Sequence, residues 1–190
     1  ADAAPDKQIL ERADVLYAGY RLRRVYYSAF SPIPSASPIL PLKPPPLIRE
    51  HRLYQADWLM RFYGYGVDEI APAETPNLEL EIDPKLAWAL RNRGQFPIDL
   101  NRAPREKLLR IPGIGVRSVD RILNIRRWTA LRLEDLVKLR ISLKKCLPFS
   151  IAADHHPARL GLDADRLRQS LAPKPQQQEF VFSSTISGEV

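Results

Sequence analysis

Apolar residues recur at helical spacing along much of this chain. Over residues 6–21, Ile9, Ala13, Leu16 and Tyr17 fall on one helical face, with Pro5 or Asp6 to open the helix and Gly19 to end it. Residues 47–63 repeat the pattern, with Ile48, Leu53, Ala56, Leu59, Met60 and Tyr63 inward and Gly64 and Gly66 as terminators. Between these helices, residues 22–30 are rich in β-branched and aromatic side chains and predict a strand. Seven of the fifteen positions 32–46 are proline, so 31–46 is a loop. The stretch 66–83 is acidic, contains proline and reads as irregular. Asp83-Pro84 then opens a short helix through Leu90 that packs Trp88, and residues 96–100 lead into the most informative part of the chain.

That part is Leu108-Leu-Arg-Ile-Pro-Gly-Ile-Gly-Val-Arg-Ser-Val-Asp-Arg-Ile-Leu-Asn-Ile-Arg-Arg127. Leu108, Leu109 and Ile111 give an apolar face before Pro112-Gly113-Ile114-Gly115, and Val119, Ile122 and Leu123 give one after it. Pro104 suits the start of the first helix. This is the pattern of a helix-hairpin-helix, which grips the phosphate backbone of DNA. Gly113 and Gly115 carry no Cβ and tolerate φ > 0, so another backbone can approach closely. The first N–H groups of the second helix lack helical partners and sit at the positive end of its dipole, which suits a phosphate. The candidate DNA-binding residues are Pro112, Gly113, Ile114, Gly115, Val116, Arg117, Ser118 and Arg121. Ile114 pins the tip to the core, while Arg117 and Arg121 add charge. The competing reading is an ordinary glycine turn between helices.

Charge is distributed to match. The chain carries +7 overall, yet residues 85–147 hold 16 Lys or Arg against 5 Asp or Glu. Residues 1–84 hold 9 against 12, and 148–190 hold 4 against 5. The basic region coincides with the hairpin, as expected of a phosphate binder, and phosphate contacts carry no sequence information. A solvated basic surface is the bland alternative.

After Arg127, residues 133–139 and 143–147 predict two further helices where a second hairpin would follow the first. No glycine lies between Leu139 and Leu143, so a hairpin there is degenerate and structural. From Ile151 the chain turns polar, with a short helix over 163–171 and disorder expected over much of 174–190.

The composition narrows the classes. No apolar run reaches the ~18–20 residues needed to span a bilayer, and no secretory signal is visible. Cys146 is the only cysteine, which leaves no internal disulfide and no thiolate metal site. A reducing, cytoplasmic setting is the expectation. The chain starts with Ala1, which fits processing or a piece of something longer.

Other constellations carry less. Asp135 lies about as far beyond the hairpin as the catalytic Asp of hairpin glycosylases, whose carboxylate stabilises a developing sugar cation. It lacks their Gly-Pro lead-in, and no Lys lies in the hairpin. His51 sits beside Arg49 and Arg52 on a basic helix face, and a solvated or packed role outweighs catalysis. His155-His156 has no companion ligands. The tyrosines 17, 20, 26, 27, 54, 63 and 65 could stack on bases, but core packing accounts for them better. No catalytic or metal residue is assigned.

Residues 98–149 resemble the tandem helix-hairpin-helix domains of DNA-uptake proteins and excision-repair nucleases, through Asn101, Ala103, Leu108 and Pro112 to Gly115. A more specific likeness covers about residues 6–150. Arg23-Arg-Val-Tyr-Tyr-Ser-Ala-Phe-Ser-Pro32, Arg49-Glu-His-Arg-Leu-Tyr-Gln-Ala-Asp-Trp-Leu59 and Asp99-Leu-Asn-Arg-Ala-Pro-Arg105, in this order, resemble the C-terminal half of the DNA modification/repair radical SAM proteins. That family joins a radical SAM barrel to a C-terminal helix-hairpin-helix and is associated with a uracil-DNA-glycosylase-like partner. Its enzymes hold a [4Fe–4S] cluster on Cys-x-x-x-Cys-x-x-Cys and bind S-adenosylmethionine, and thiolates are what hold such clusters. This chain lacks that motif. Relatives also carry a glycine near the position of Arg140, which is absent here.

The resemblance implies a mainly α fold. Residues 1–66 would be the end of a radical SAM-like barrel, one strand and two helices, with the Pro-rich loop 31–46. An acidic linker follows over 67–83, a helix-hairpin-helix domain over 84–150 and a largely disordered tail over 151–190. Three functional readings follow. The chain binds DNA without sequence preference as the targeting portion of a radical SAM protein. Alternatively, it docks a glycosylase-like partner through the Pro-rich loop or the basic helices. In the third reading it is a fragment of the enzyme, inactive alone, with Tyr27, Ser28 and Phe30 lining a substrate pocket completed elsewhere.

Overall fold

The computed structural model describes residues 4–29, 45–157 and 163–172, and these are mainly helical. Helix α1 (Asp6–Tyr20) packs on α2 (Leu47–Tyr63), burying Leu10 and Ala13 against Leu53, Ala56 and Leu59. Gly19 does not end α1. The helix runs one residue further, and Arg21 caps it in the left-handed region at φ 51°. At α2 the glycine signal holds, with Gly64 at φ 67°.

The strand expected over 22–30 does not form within 22–29, and Phe30 lies outside the described residues. Side chains bind this stretch instead of a neighbouring strand. The Val25 N–H donates to the Tyr17 hydroxyl (2.9 Å), the Tyr27 N–H to the Tyr54 hydroxyl (3.0 Å) and the Ala29 N–H to Glu50 (2.8 Å). Strand propensity reports fitness for a sheet, and no partner strand is present here among the described residues.

Residues 67–83 pack closely on their neighbours. Short α3 (Val67–Ile70) buries Ile70, and Leu78 and Ile82 are also buried. The buried Asp6 carboxylate accepts the Leu78 N–H (2.9 Å) and pairs with Arg49 (2.7 Å), tying this segment to α1 and α2. Asp83 then caps α4 (Pro84–Arg91) by accepting the Leu86 N–H at 2.9 Å.

The basic region is built on a repeat of 27 residues. Its first half is α5 (Arg105–Leu108), a turn and α6 (Val116–Ile125). Its second half is α7 (Leu133–Lys138), a turn and α8 (Leu143–Cys146). Leu109, Ile114, Val119 and Ile122 are buried in the first half, as are Leu136, Ile141, Cys146 and Phe149 in the second. Gly115 and Ser142 take matching positions before α6 and α8. Gly113 (φ 80°) and Arg140 (φ 56°) are the matching left-handed residues. An arginine thus carries the turn where the sequence offered no glycine.

Two short strands enclose the repeat. β1 (Ile98–Asp99) pairs in parallel with β2 (Ser150–Ile151), and the Leu100 N–H extends the ladder to the Ile151 carbonyl at 3.0 Å. Pairing therefore orders the first residues of the tail that was expected to be largely disordered. The helix expected over 163–171 is α9 (Ala164–Leu171), which buries Leu167 and Leu171. Most of the Pro-rich loop and residues 174–190 lie outside the described residues. Among the described residues, no helix is long and apolar enough to cross a membrane.

Candidate nucleic-acid interface

The turn between α5 and α6 is set by its side chains. Pro112 and Ile114 are buried, Ile114 to 2% exposure, so the tip is anchored inward. Gly113 is exposed and takes φ 80°, which an L side chain adopts only under strain. A second constraint acts on it. A Cβ there would lie 2.8 Å from the Lys145 Cβ and 3.3 Å from the Ser142 carbonyl oxygen. The backbone that approaches Gly113 closely is thus the protein's own α8, and the two turns of the repeat are in contact.

Gly115 differs. Its φ of −99° and ψ of 170° suit any residue, and a Cβ would meet only the Tyr63 hydroxyl, at 3.4 Å. Its role is to precede α6 without a capping side chain. The first intrahelical bond runs from the Val119 N–H to the Gly115 carbonyl (2.9 Å), so the amides of Val116, Arg117 and Ser118 have no partner within the helix. They add to the positive end of the α6 dipole. Val116 and Ser118 are half-buried, while Arg117 and Arg121 are exposed and their side chains make no hydrogen bond or ion pair to any described residue.

Neighbouring cations are engaged. Arg105 pairs with Asp120, Arg126 donates to the Ala103 carbonyl (2.6 Å), and Arg110 holds Glu69 (2.8 Å) over the Tyr65 ring. The basic surplus therefore divides into cations that staple the fold and cations left to solvent, including Arg117 and Arg121.

Lys85 was not foreseen at this site. It is 8% exposed, and its Nζ donates to the Ile114 carbonyl at 2.6 Å and lies 4.7 Å from the centre of the Tyr63 ring. Burial pulls its pKa down to about 7, and Arg110 adds to the fall while Asp83 opposes it. The sequence signal was the apolar setting of Lys85 within a short amphipathic helix. Its contact with a turn 29 residues away could not be read from that. Lys85, Lys145, Asp83, Trp58 and Tyr63 line a cavity of about 520 Å³ whose wall includes Gly113, Ile114 and Gly115.

The weaker candidates take structural places. The Asp135 carboxylate accepts the Arg132 N–H (3.0 Å) at the start of α7, which gives it a capping role. His51 is exposed, and the His155 ring reaches the Leu147 carbonyl at 3.1 Å. Tyr27 is buried with its hydroxyl 3.2 Å from Asp57, and Ser28 is exposed. No cluster of metal-ligating side chains occurs among the described residues. Compared with known proteins, the chain matches no family model, no curated sequence and no solved structure.

Proposed function

We propose that the α5–turn–α6 unit is a helix-hairpin-helix that binds the DNA phosphate backbone without sequence preference. One observation carries the reading: an uncapped α6 N-terminus, reached through a left-handed Gly113, with Arg117 and Arg121 unpaired among the described residues. The three amides and the dipole offer an anion site, and the two arginines extend it by one and two helical turns. The α7–α8 unit is a second, degenerate hairpin that buttresses the first through the contact of α8 with Gly113.

In this reading the chain is the DNA-targeting portion of a radical SAM protein of DNA modification or repair. The N-terminal helices are then the end of its barrel. One feature agrees: Val15, Tyr20, Leu22 and Tyr26 are left exposed around residues 22–29.

The test is DNA binding by fluorescence anisotropy across a salt series, with single- and double-stranded probes. Each phosphate contact contributes about −0.9 to the slope of log K against log salt on duplex DNA. A slope of several units is expected, shallower by about 0.9 for each of Arg117→Ala and Arg121→Ala. Absence of binding at low salt would overturn the proposal and leave the turn a structural one.

A further inference from the structure

The cavity beside the turn has the chemistry of a base site more than that of a phosphate site. Its two lysines do not present two free charges. Lys145 is paired with Asp83 at 3.3 Å, and the Lys85 nitrogen is buried on the Ile114 carbonyl. The fall of the Lys85 pKa to about 7 further reduces its charge near neutrality. What remains is a nearly neutral recess with an aromatic wall and several hydrogen-bonding groups. Trp58 on that wall is 51% exposed and gives the recess an aromatic surface. Its ring packs against that of Phe62, with centres 4.3 Å apart and planes tilted by 46°, and the Arg61 guanidinium lies 5.7 Å from its centre. The volume of about 520 Å³ lies within the ~300–1,000 Å³ of small-molecule pockets. Gly113 and Gly115 belong both to this wall and to the proposed phosphate-binding turn.

We infer that the cavity receives one unpaired nucleoside of the DNA strand held at the turn, its base against Trp58 and its polar edge toward Lys85 and the Lys145–Asp83 pair. The inference rests on the hairpin reading above. A paired base is already stacked and hydrogen-bonded, whereas a bulged base enters without that cost. The cavity therefore selects DNA carrying an unpaired nucleotide, a property the hairpin alone does not provide.

The experiment uses the full chain and two duplexes of the same sequence, one fully paired and one with a single bulged 2-aminopurine. Anisotropy gives both affinities, and 2-aminopurine emission reports stacking. The bulged duplex is expected to bind about tenfold more tightly, the scale of stacking one base on an aromatic side chain, and its emission to change on binding. Trp58→Ala, which removes a half-exposed side chain, is expected to bring the affinity ratio toward one and abolish the emission change. Lys85→Met is expected to lower the ratio and keep part of the emission change. Equal affinities with unchanged emission would overturn the cavity inference and leave the hairpin reading standing. Failure to bind either duplex would remove the hairpin reading and this inference together.

Discussion

The side-chain nitrogen of Lys85 lies 2.6 Å from the carbonyl oxygen of Ile114, so a residue of α4 holds the tip of the α5–α6 turn from inside. The burial of this lysine sets a pH dependence. The folded pKa is about 7 against an ordinary 10.5, so between these values the unfolded chain binds a proton that the folded one does not. Stability therefore rises with pH from about 7, by up to about 1.4 kcal/mol per pH unit from this group alone. Cys146, whose thiol is pushed up to about 11 by burial, opposes the trend only above about pH 9. Thermal unfolding is expected to show a midpoint rising between pH 7.5 and 9, and Lys85→Met to flatten that rise. An equally steep rise in the variant would refute the assignment.

Gly113 and Gly115 are expected to separate stability from binding. Gly113→Ala meets both a positive φ and the Lys145 Cβ, and is expected to cost about 2 kcal/mol in denaturant unfolding. Gly115→Asp places a carboxylate on the three uncapped amides at an ordinary φ. It is expected to keep or raise stability by about 1 kcal/mol while removing DNA binding, because it occupies the phosphate position. A Gly115→Asp protein that still binds DNA would sink the helix-terminus mechanism.

Arg140 holds a left-handed conformation that glycine adopts without strain. Relief of that strain exceeds the extra flexibility glycine gives the unfolded chain, so Arg140→Gly is expected to stabilise by about 0.5 kcal/mol. Urea titration of the two proteins checks the sign.

Asp57 is fully buried and gathers three groups. It accepts the Tyr17 hydroxyl at 2.6 Å and the Tyr27 hydroxyl at 3.2 Å, and pairs with Arg61 at 2.8 Å. Removing the carboxylate leaves a half-buried guanidinium without its ion-pair partner and a buried phenol without its acceptor. Asp57→Ala is expected to cost about 3–5 kcal/mol, and a loss below about 1 kcal/mol in chemical denaturation would show that the network contributes little.

Much of the fold was legible in the sequence because its helices are amphipathic and punctuated. The periodicity gave α2 with its Gly64 cap, Asp83-Pro84 opened α4, and Pro112 to Gly115 marked the turn before α6. Three features were not legible: the strand pair, the Arg140 turn and the absence of a strand over 22–29. β1 and β2 are two residues long, too short for an alternating pattern, and form only because residues 52 apart meet. The Arg140 turn carries none of the glycine that announces such a conformation, and its neighbours' packing enforces it. The aromatic run over 22–29 reads as a strand because propensity cannot say whether a partner exists.

The same division holds at the candidate site. Local chemistry on its own determined that residues 112–121 form a glycine turn into a cationic helix, since φ preferences and helix dipoles act within a few residues. Long-range packing alone decided which arginines remain unpaired, that α8 closes on Gly113, and that Lys85 enters the core to meet Ile114. Those outcomes depend on burial, charge pairing and close contact between segments up to tens of residues apart. Only the folded chain brings such segments together.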